Sequence, residues 1–402
     1  MYMRCVKRVI INIWVSGLLC LTLQAQPTGN ELKEISKTLR KSILTKAEWA
    51  LRQSPVTVTA NRAQRSAGGI HDFFSEGDYW WPDPANPDGA YIQRDGMTNP
   101  ENFVAHRQAM IRFSEIVGSL AAAYKITGRK KYAEKALEHC DAWLMDTATR
   151  MTPHLLYAQA IKGRVTGRGI GIIDAIHLME VVKGLEVIEK RMPRMSVKRR
   201  QAYRQWFAQY LQWVTTHAYG LDEMKAANNH GTCWVMQVAV FAGYTGNDSL
   251  RAMCSQRFKE VLLPSQMAAD GSFPLELKRT KPYGYSLFNL DAMATICQEL
   301  SNTHDNLWQF TLPDGRSMEK AIQFLYPWVV NKSAWPYAKD VMYWEQWPVA
   351  HPFLVFGGLA LQQKTWLQTW TRLEHAPTVE EVIRNLPVRN PLLWIDEKKS
   401  YE

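Results

Sequence analysis

The stretch "AANNHGTCWVMQ" (226–237) sets Asn228, Asn229 and His230 directly ahead of a long apolar run. A second polar cluster, "LELKRTKPYGY" (275–285), places Glu276, Arg279, Lys281, Tyr283 and Tyr285 just before another. An amide, an imidazole, a guanidinium and a phenol are an uncommon kit for hydrolysis. They suit removal of a proton next to a carboxylate. A C–H bond in that position is barely acidic while the carboxylate is negative, so donors and positive charge must stabilise the dianion as it develops. Asn229 offers an amide donor and Arg279 a planar fork that fits a carboxylate. His230 and a tyrosine, Tyr285 or Tyr283, are side chains of the types that move protons.

Other chemistries lack their signatures. The chain has no H-E-x-x-H, no paired cysteine motif and no Asp-rich calcium loop, so neither a metal nor another cofactor is expected. No G-x-S-x-G supports a serine nucleophile. "GRGIGI" (167–172) is glycine-rich but opens a helix with no strand before it. That context fits packing, or a helix start facing substrate, better than a nucleotide site.

The formal net charge is +10, three units of it from Arg4, Lys7 and Arg8, and the chain holds 16 Trp and 16 Tyr. Charge and flat rings together suit an acidic polysaccharide better than nucleic acid in an exported protein. Two irregular segments, 71–105 and 331–350, carry many of these rings and are expected to flank one cleft. Tyr79, Trp80, Trp81, Tyr343 and Trp344 are candidates for stacking on sugar faces. Arg94, Arg107, Lys281 and Tyr283 are further candidates for substrate binding.

The elements that must position these groups read as helices. Apolar residues recur at three- and four-residue intervals over 31–53, 106–127, 130–147, 173–190, 197–218 and 232–245. The pattern continues over 248–263, 286–302, 317–330, 351–363 and 378–385. Short turns such as "TGRK" and "GND" join successive helices as antiparallel hairpins. The expectation is an all-α fold: an (α/α) toroid of about six to seven hairpins, with long aromatic-rich loops lining the cleft.

Residues 1–25 have the basic start, apolar stretch and small-residue end of a cleavable signal peptide, which predicts a periplasmic or secreted protein. Residues 26–402 then form one catalytic domain with no membrane span, expected as a monomer. Cys140, Cys233, Cys254 and Cys297 fit no disulfide or zinc framework and read as buried thiols.

"NNH" followed by an apolar helix, then "DGSFPLELKRTKPYGYSLFNL" (270–290), resembles the alginate-lyase family of helical-toroid polysaccharide lyases. "YWWPDPANPDG" (79–89) and "RDGMTNPE" (94–101) resemble the N-terminal part of such domains. The resemblance implies β-elimination on 1,4-linked polyuronates, mannuronate-rich alginate first and glucuronan next. It assigns carboxylate neutralisation to Asn229 and Arg279, and acid–base catalysis to His230 and Tyr285. Two other readings are an inverting glycosidase and a periplasmic glycan-binding protein. The first needs two carboxylates about 6.5–9.5 Å apart; Asp78, Glu276, Asp340 and Glu345 are available, though their spacing marks no pair. The second would leave the Asn-His-Arg-Tyr set idle.

Overall fold

The computed structural model describes residues 29–395, so the leader read at 1–25 lies outside the described residues. The first half of the chain supplies α1 (Gly29–Leu51), α2 (Ala105–Thr127), α3 (Lys130–Cys140), α4 (Leu178–Arg191), α5 (Val197–Thr216), α6 (Ala218–Lys225) and α7 (Asn229–Thr245). The second half adds α8 (Asp248–Arg257), α9 (Leu263–Gln266), α10 (Pro274–Leu277), α11 (Pro282–Leu300), α12 (Met318–Val330), α13 (Pro352–Ala360), α14 (Lys364–Trp370) and α15 (Glu380–Arg384).

Five of these make an inner layer. α2 packs on α4, α4 on α7, α7 on α11 and α11 on α13. An outer layer backs them: α1 and α3 against α2, α5 and α8 against α7, α12 and α14 against α13. Sequence explains the division. Every residue of α11 is buried, and α7 is buried nearly all round, as expected of helices that are apolar on all sides. α1, with its alternating basic and apolar residues, buries one face only.

The inner helices run parallel. Gly184 of α4 lies against Val117 and Ala121 of α2, and the Tyr124 hydroxyl at the end of α2 donates to the Arg191 carbonyl at the end of α4 (2.9 Å). In the same sense, Thr232 near the start of α7 and Asn289 in α11 both donate to Gln266 Oε1, each at 3.0 Å. Within each of these two pairs the N-termini therefore lie at the same end, where their partial positive charge favours an anion.

Of the two segments expected to be irregular, 71–105 holds three short strands, and 331–350 holds the 3-10 turns Lys332–Ala334 and Trp344–Gln346. β1 (Phe74–Glu76) pairs in parallel with β4 (Tyr157–Ala160), while β2 (Trp80–Trp81) pairs antiparallel with β3 (Ile92–Gln93). Three predicted helices change register internally: Gly169–His177 is a 3-10 helix, and Asp141–Met145 and Phe258–Leu262 are π turns. Apolar spacing reports which face is buried, and a tightened or widened turn can keep that face. The C-terminal turn Pro391–Leu393 is drawn onto the inner layer: Lys125 Nζ donates to the Leu392 and Ile395 carbonyls, and Glu180 Oε1 accepts from the Arg389 and Asn390 amides. Among the described residues, Cys140, Cys233, Cys254 and Cys297 are buried and free. No described helix is long and apolar enough to cross a membrane.

Candidate active site

Asn228 caps α7, its side chain accepting from the His230 amide, so Asn229 and His230 occupy the first turn. That turn leaves backbone N–H groups without helical partners. Glu276, on α10, takes the Asn229 amide at 2.7 Å and the Asn229 side-chain amide at 2.8 Å. Burial raises the Glu276 carboxyl above the ordinary range, and those two hydrogen bonds from Asn229 oppose it. The asparagine is thereby fixed at the cavity, with one amide hydrogen still to give.

His230 is fixed as firmly. Its Nδ1 stands 2.7 Å from Oε1 of Glu223, a residue of α6 that is only 2% exposed. A carboxylate accepts and does not donate, so Nδ1 carries a proton and Nε2 is the ring nitrogen left to meet a ligand.

Tyr285 lies in the first turn of α11. Asp340 holds that turn by accepting from the Tyr283 and Gly284 amides, and burial pushes Asp340 up to about 6. The Tyr285 hydroxyl is 2.7 Å from that of Tyr79 and accepts from Arg279 Nη2 at 3.3 Å. The Arg279 guanidinium also lies 4.3 Å from the Tyr285 ring centre. Arg279 is itself clamped by Asp95, through Nε at 3.2 Å and Nη2 at 2.7 Å, with Thr280 donating to the same carboxylate at 2.9 Å. Burial would raise Asp95, but the Arg279 hydrogen bonds and charge hold it below the usual carboxylate range. For Tyr285, burial pushes the phenol well up, Tyr79 adds to this, and Arg279 pulls it down.

These four residues line one cavity of about 390 Å³. Tyr79 and Trp80 line it too, as do Gln159, Arg168 and, from α15, Arg384. The remaining sequence candidates are placed differently. Trp81 faces the rim, its indole donating to the Met97 carbonyl (2.9 Å) while the exposed Arg94 lies 5.2 Å over its ring. Arg107 does not reach the cleft: it is 2% exposed and its fork is closed on Asp78 at 2.7 and 3.1 Å. Tyr283 is fully buried, donating to the Trp328 carbonyl (3.1 Å), with the half-buried Trp344 packed on its ring. Lys281 is buried in an ion pair with Glu381 and lines, with Tyr343, a small recess beside Tyr285. The aromatic and charged candidates thus divide into those that line or border the cavity and those taken up in the protein's own packing.

The carboxylates considered for a glycosidase all have protein partners. Asp78 is held by Arg107 and Arg384, Glu276 by Asn229, Asp340 by the start of α11, and Glu345 by Lys332. Sequence reasoning missed Glu223 and Asp95 as partners of the site, and Gln159, Arg168 and Arg384 as cavity residues. The only signals were "GRGIGI" for Arg168 and "RDG" for Asp95.

The model of the alginate lyase family matches residues 57–335. The crystal structure of an alginate lyase from Bacteroides ovatus is similar at 31% identity, covering 92% of this chain and 98% of that one with a TM-score of 0.77. Alginate lyase A1-III from Sphingomonas species A1 shares the fold at 14% identity, covering 79% and 85% of the two chains, TM-score 0.51. A histidine-to-alanine variant of alginate lyase A1-III complexed with tetrasaccharide matches at 13% identity over 89% and 94%, TM-score 0.54. No curated protein matches the chain. Two parallel-packed helical layers, a cleft at the inner N-termini and these matches lead to one assignment: the chain belongs to the alginate lyase family, and is a polysaccharide lyase on an (α/α) toroid.

Proposed function

We propose that this enzyme cleaves 1,4-linked polyuronates by β-elimination, mannuronate-rich alginate first and glucuronan second. One observation carries the reading: Asn229, His230, Arg279 and Tyr285, drawn from separate segments, line a single cavity with each polar group already oriented by a partner. The tetrasaccharide bound by the A1-III variant supports a chain of sugars as the ligand. The leader-like residues 1–25 would export the enzyme to polymers too large to enter a cell.

In this mechanism the Asn229 amide donates to the uronate carboxylate, and Arg279 adds positive potential where the dianion forms. A base removes the C5 proton, the electron pair makes the C4–C5 double bond, and the C4–O4 bond breaks as O4 receives a proton. In mannuronate and glucuronate the C5 hydrogen and O4 share a face, so one tyrosinate takes the proton and returns it. Tyr285 is that residue. Its phenol is protonated in the resting enzyme because burial raises it, and Arg279 is the group that makes the phenolate attainable. In guluronate the two groups lie on opposite faces. There His230 Nε2 is the base and protonated Tyr285 the acid.

The test is to incubate the enzyme with mannuronate-rich alginate, guluronate-rich alginate and glucuronan, and follow ultraviolet absorbance from the conjugated product. Absorbance should rise fastest with the mannuronate-rich polymer and not at all with carboxyl-reduced polymer. Equal cleavage of the carboxyl-reduced polymer would overturn the proposed role of the carboxylate.

A further inference from the structure

Three arginines line the cavity: Arg168, Arg279 and Arg384. Two are already neutralised, Arg279 by Asp95 and Arg384 by Asp78 (2.8 Å) and Glu381 (3.3 Å). Arg168 is different. Among the described residues its only side-chain hydrogen bonds go to neutral Gln159, Nε to the carbonyl at 3.1 Å and Nη2 to Oε1 at 2.9 Å. A guanidinium has five N–H donors, so three remain for a ligand.

The surroundings hold that fork in place. Gln159 is 7% exposed and adopts the left-handed backbone conformation (φ 51°), uncommon for a residue with a side chain. Its amide is tied to Ser75 Oγ at 2.9 Å, and Ser75 donates to Asp174 at 2.6 Å. Strain of this kind persists where neighbouring structure over-determines it, and it clusters at functional sites. "GRGIGI" now has a structural account. A Cβ on Gly167 would fall 1.9 Å from the Leu156 carbonyl oxygen, and one on Gly171 would fall 2.5 Å from the Ala158 Cβ. The glycines let this segment press onto β4, which seats Arg168 against Gln159 and 5.9 Å from the Trp80 ring centre. Burial pulls the Arg168 guanidinium below its ordinary value, with Asp174, Asp78 and Glu223 opposing only through space. An anion in the cavity would relieve that cost.

We propose that Arg168, steadied by Gln159 and flanked by Trp80, is a further cation that binds a uronate carboxylate in the cleft, beside the Arg279 that polarises Tyr285. The inference rests on the lyase reading of the same cavity. It adds, to the arginine whose fork is largely occupied, one with three donors left for an anion.

The experiment measures binding rather than turnover. Tyr285→Phe silences the chemistry, and calorimetry follows a mannuronate oligosaccharide and its carboxyl-reduced counterpart. Adding Arg168→Met should weaken binding of the charged oligosaccharide about 10–100-fold, the range for a hydrogen-bonded charge. Binding of the reduced one should be unchanged. Arg168→Lys should recover part of the loss, and thermal unfolding of all variants should coincide. Equal affinity of the Arg168→Met variant and its parent for the charged ligand would overturn this inference alone. So would an equal loss for both ligands, which would mark Arg168 as merely structural. A Tyr285→Phe parent that binds no oligouronate would overturn both this inference and the function it rests on.

Discussion

Two walls of the cleft present arginines in opposite states. On the wall built by α7, α10 and the start of α11, every working group is engaged: Asn229 by Glu276, His230 by Glu223, Arg279 by Asp95. On the wall built by β4 and the 3-10 helix Gly169–His177, the hydrogen bonds of Arg168 among the described residues go only to neutral Gln159. Carboxylate partners orient these side chains, so on the proposed reading the first wall is organised for proton transfer. The second retains unpaired positive charge, which suits it to hold an anion. On the proposed reading, fixing catalytic geometry and attracting substrate fall largely to different residues. This division is also why a count of basic residues in the sequence says little about where the polymer binds.

The comparison can be broken most severely at Tyr285. If the first wall performs the proton transfers, Tyr285→Phe should lower turnover on every polyuronate by at least about 10²–10⁴-fold, the usual contribution of a general acid–base group. Oligosaccharide affinity should change little. Near-normal turnover on mannuronan would remove the phenol from the mechanism.

Glu223→Gln comes next. It replaces the acceptor that fixes the His230 tautomer, and loss of one hydrogen bond to a charged group corresponds to about 10–100-fold in rate. The loss should fall on turnover rather than KM, and be larger on guluronate-rich than on mannuronate-rich polymer. Steady-state kinetics on both polymers distinguish this from a general defect, which would affect them equally.

A pH profile sharpens the contrast further. Because the folded environment raises Tyr285, its phenolate fraction grows as pH climbs towards that raised value. Rates on mannuronate-rich polymer, where the phenolate is the base, should keep rising through the alkaline range. Rates on guluronate-rich polymer, where the protonated phenol is the acid, should level off. Asp95 is one of the charges that raise the phenol, so Asp95→Asn should move the rising limb to lower pH. A limb that stays in place would dissociate Asp95 and Arg279 from the tyrosine.

Much of this was legible in the sequence, and what was not has a physical reason. The helices followed from apolar spacing because burial selects for it directly. Asn229, His230 and Tyr285 stood out as candidates at helix starts and Arg279 in the turn before one, and the fold brings the four to one cavity. Their partners did not stand out. Glu223 is on a separate short helix, and Asp95 reaches Arg279 from a distant loop, so no local periodicity links either pair. Arg107 misled for the same reason: its place near the start of α2 looks accessible until Asp78 is brought onto it by the fold. Tyr283 and Tyr285, two residues apart, face different surroundings because a helix turns through roughly 100° per residue. Tyr283→Phe therefore gives the smallest effect. It should cost about 1 kcal/mol of stability by thermal or denaturant unfolding, the value of one hydrogen bond, and leave turnover unchanged.

The central claim, that the assembled residues perform β-elimination, is tested most directly by product stoichiometry. Mannuronan is digested by the wild-type enzyme, and new reducing ends are measured alongside ultraviolet-absorbing unsaturated ends. Each elimination creates one of both, so the account predicts a ratio that stays at unity throughout the digest. New reducing ends without matching absorbance would show hydrolysis and contradict it.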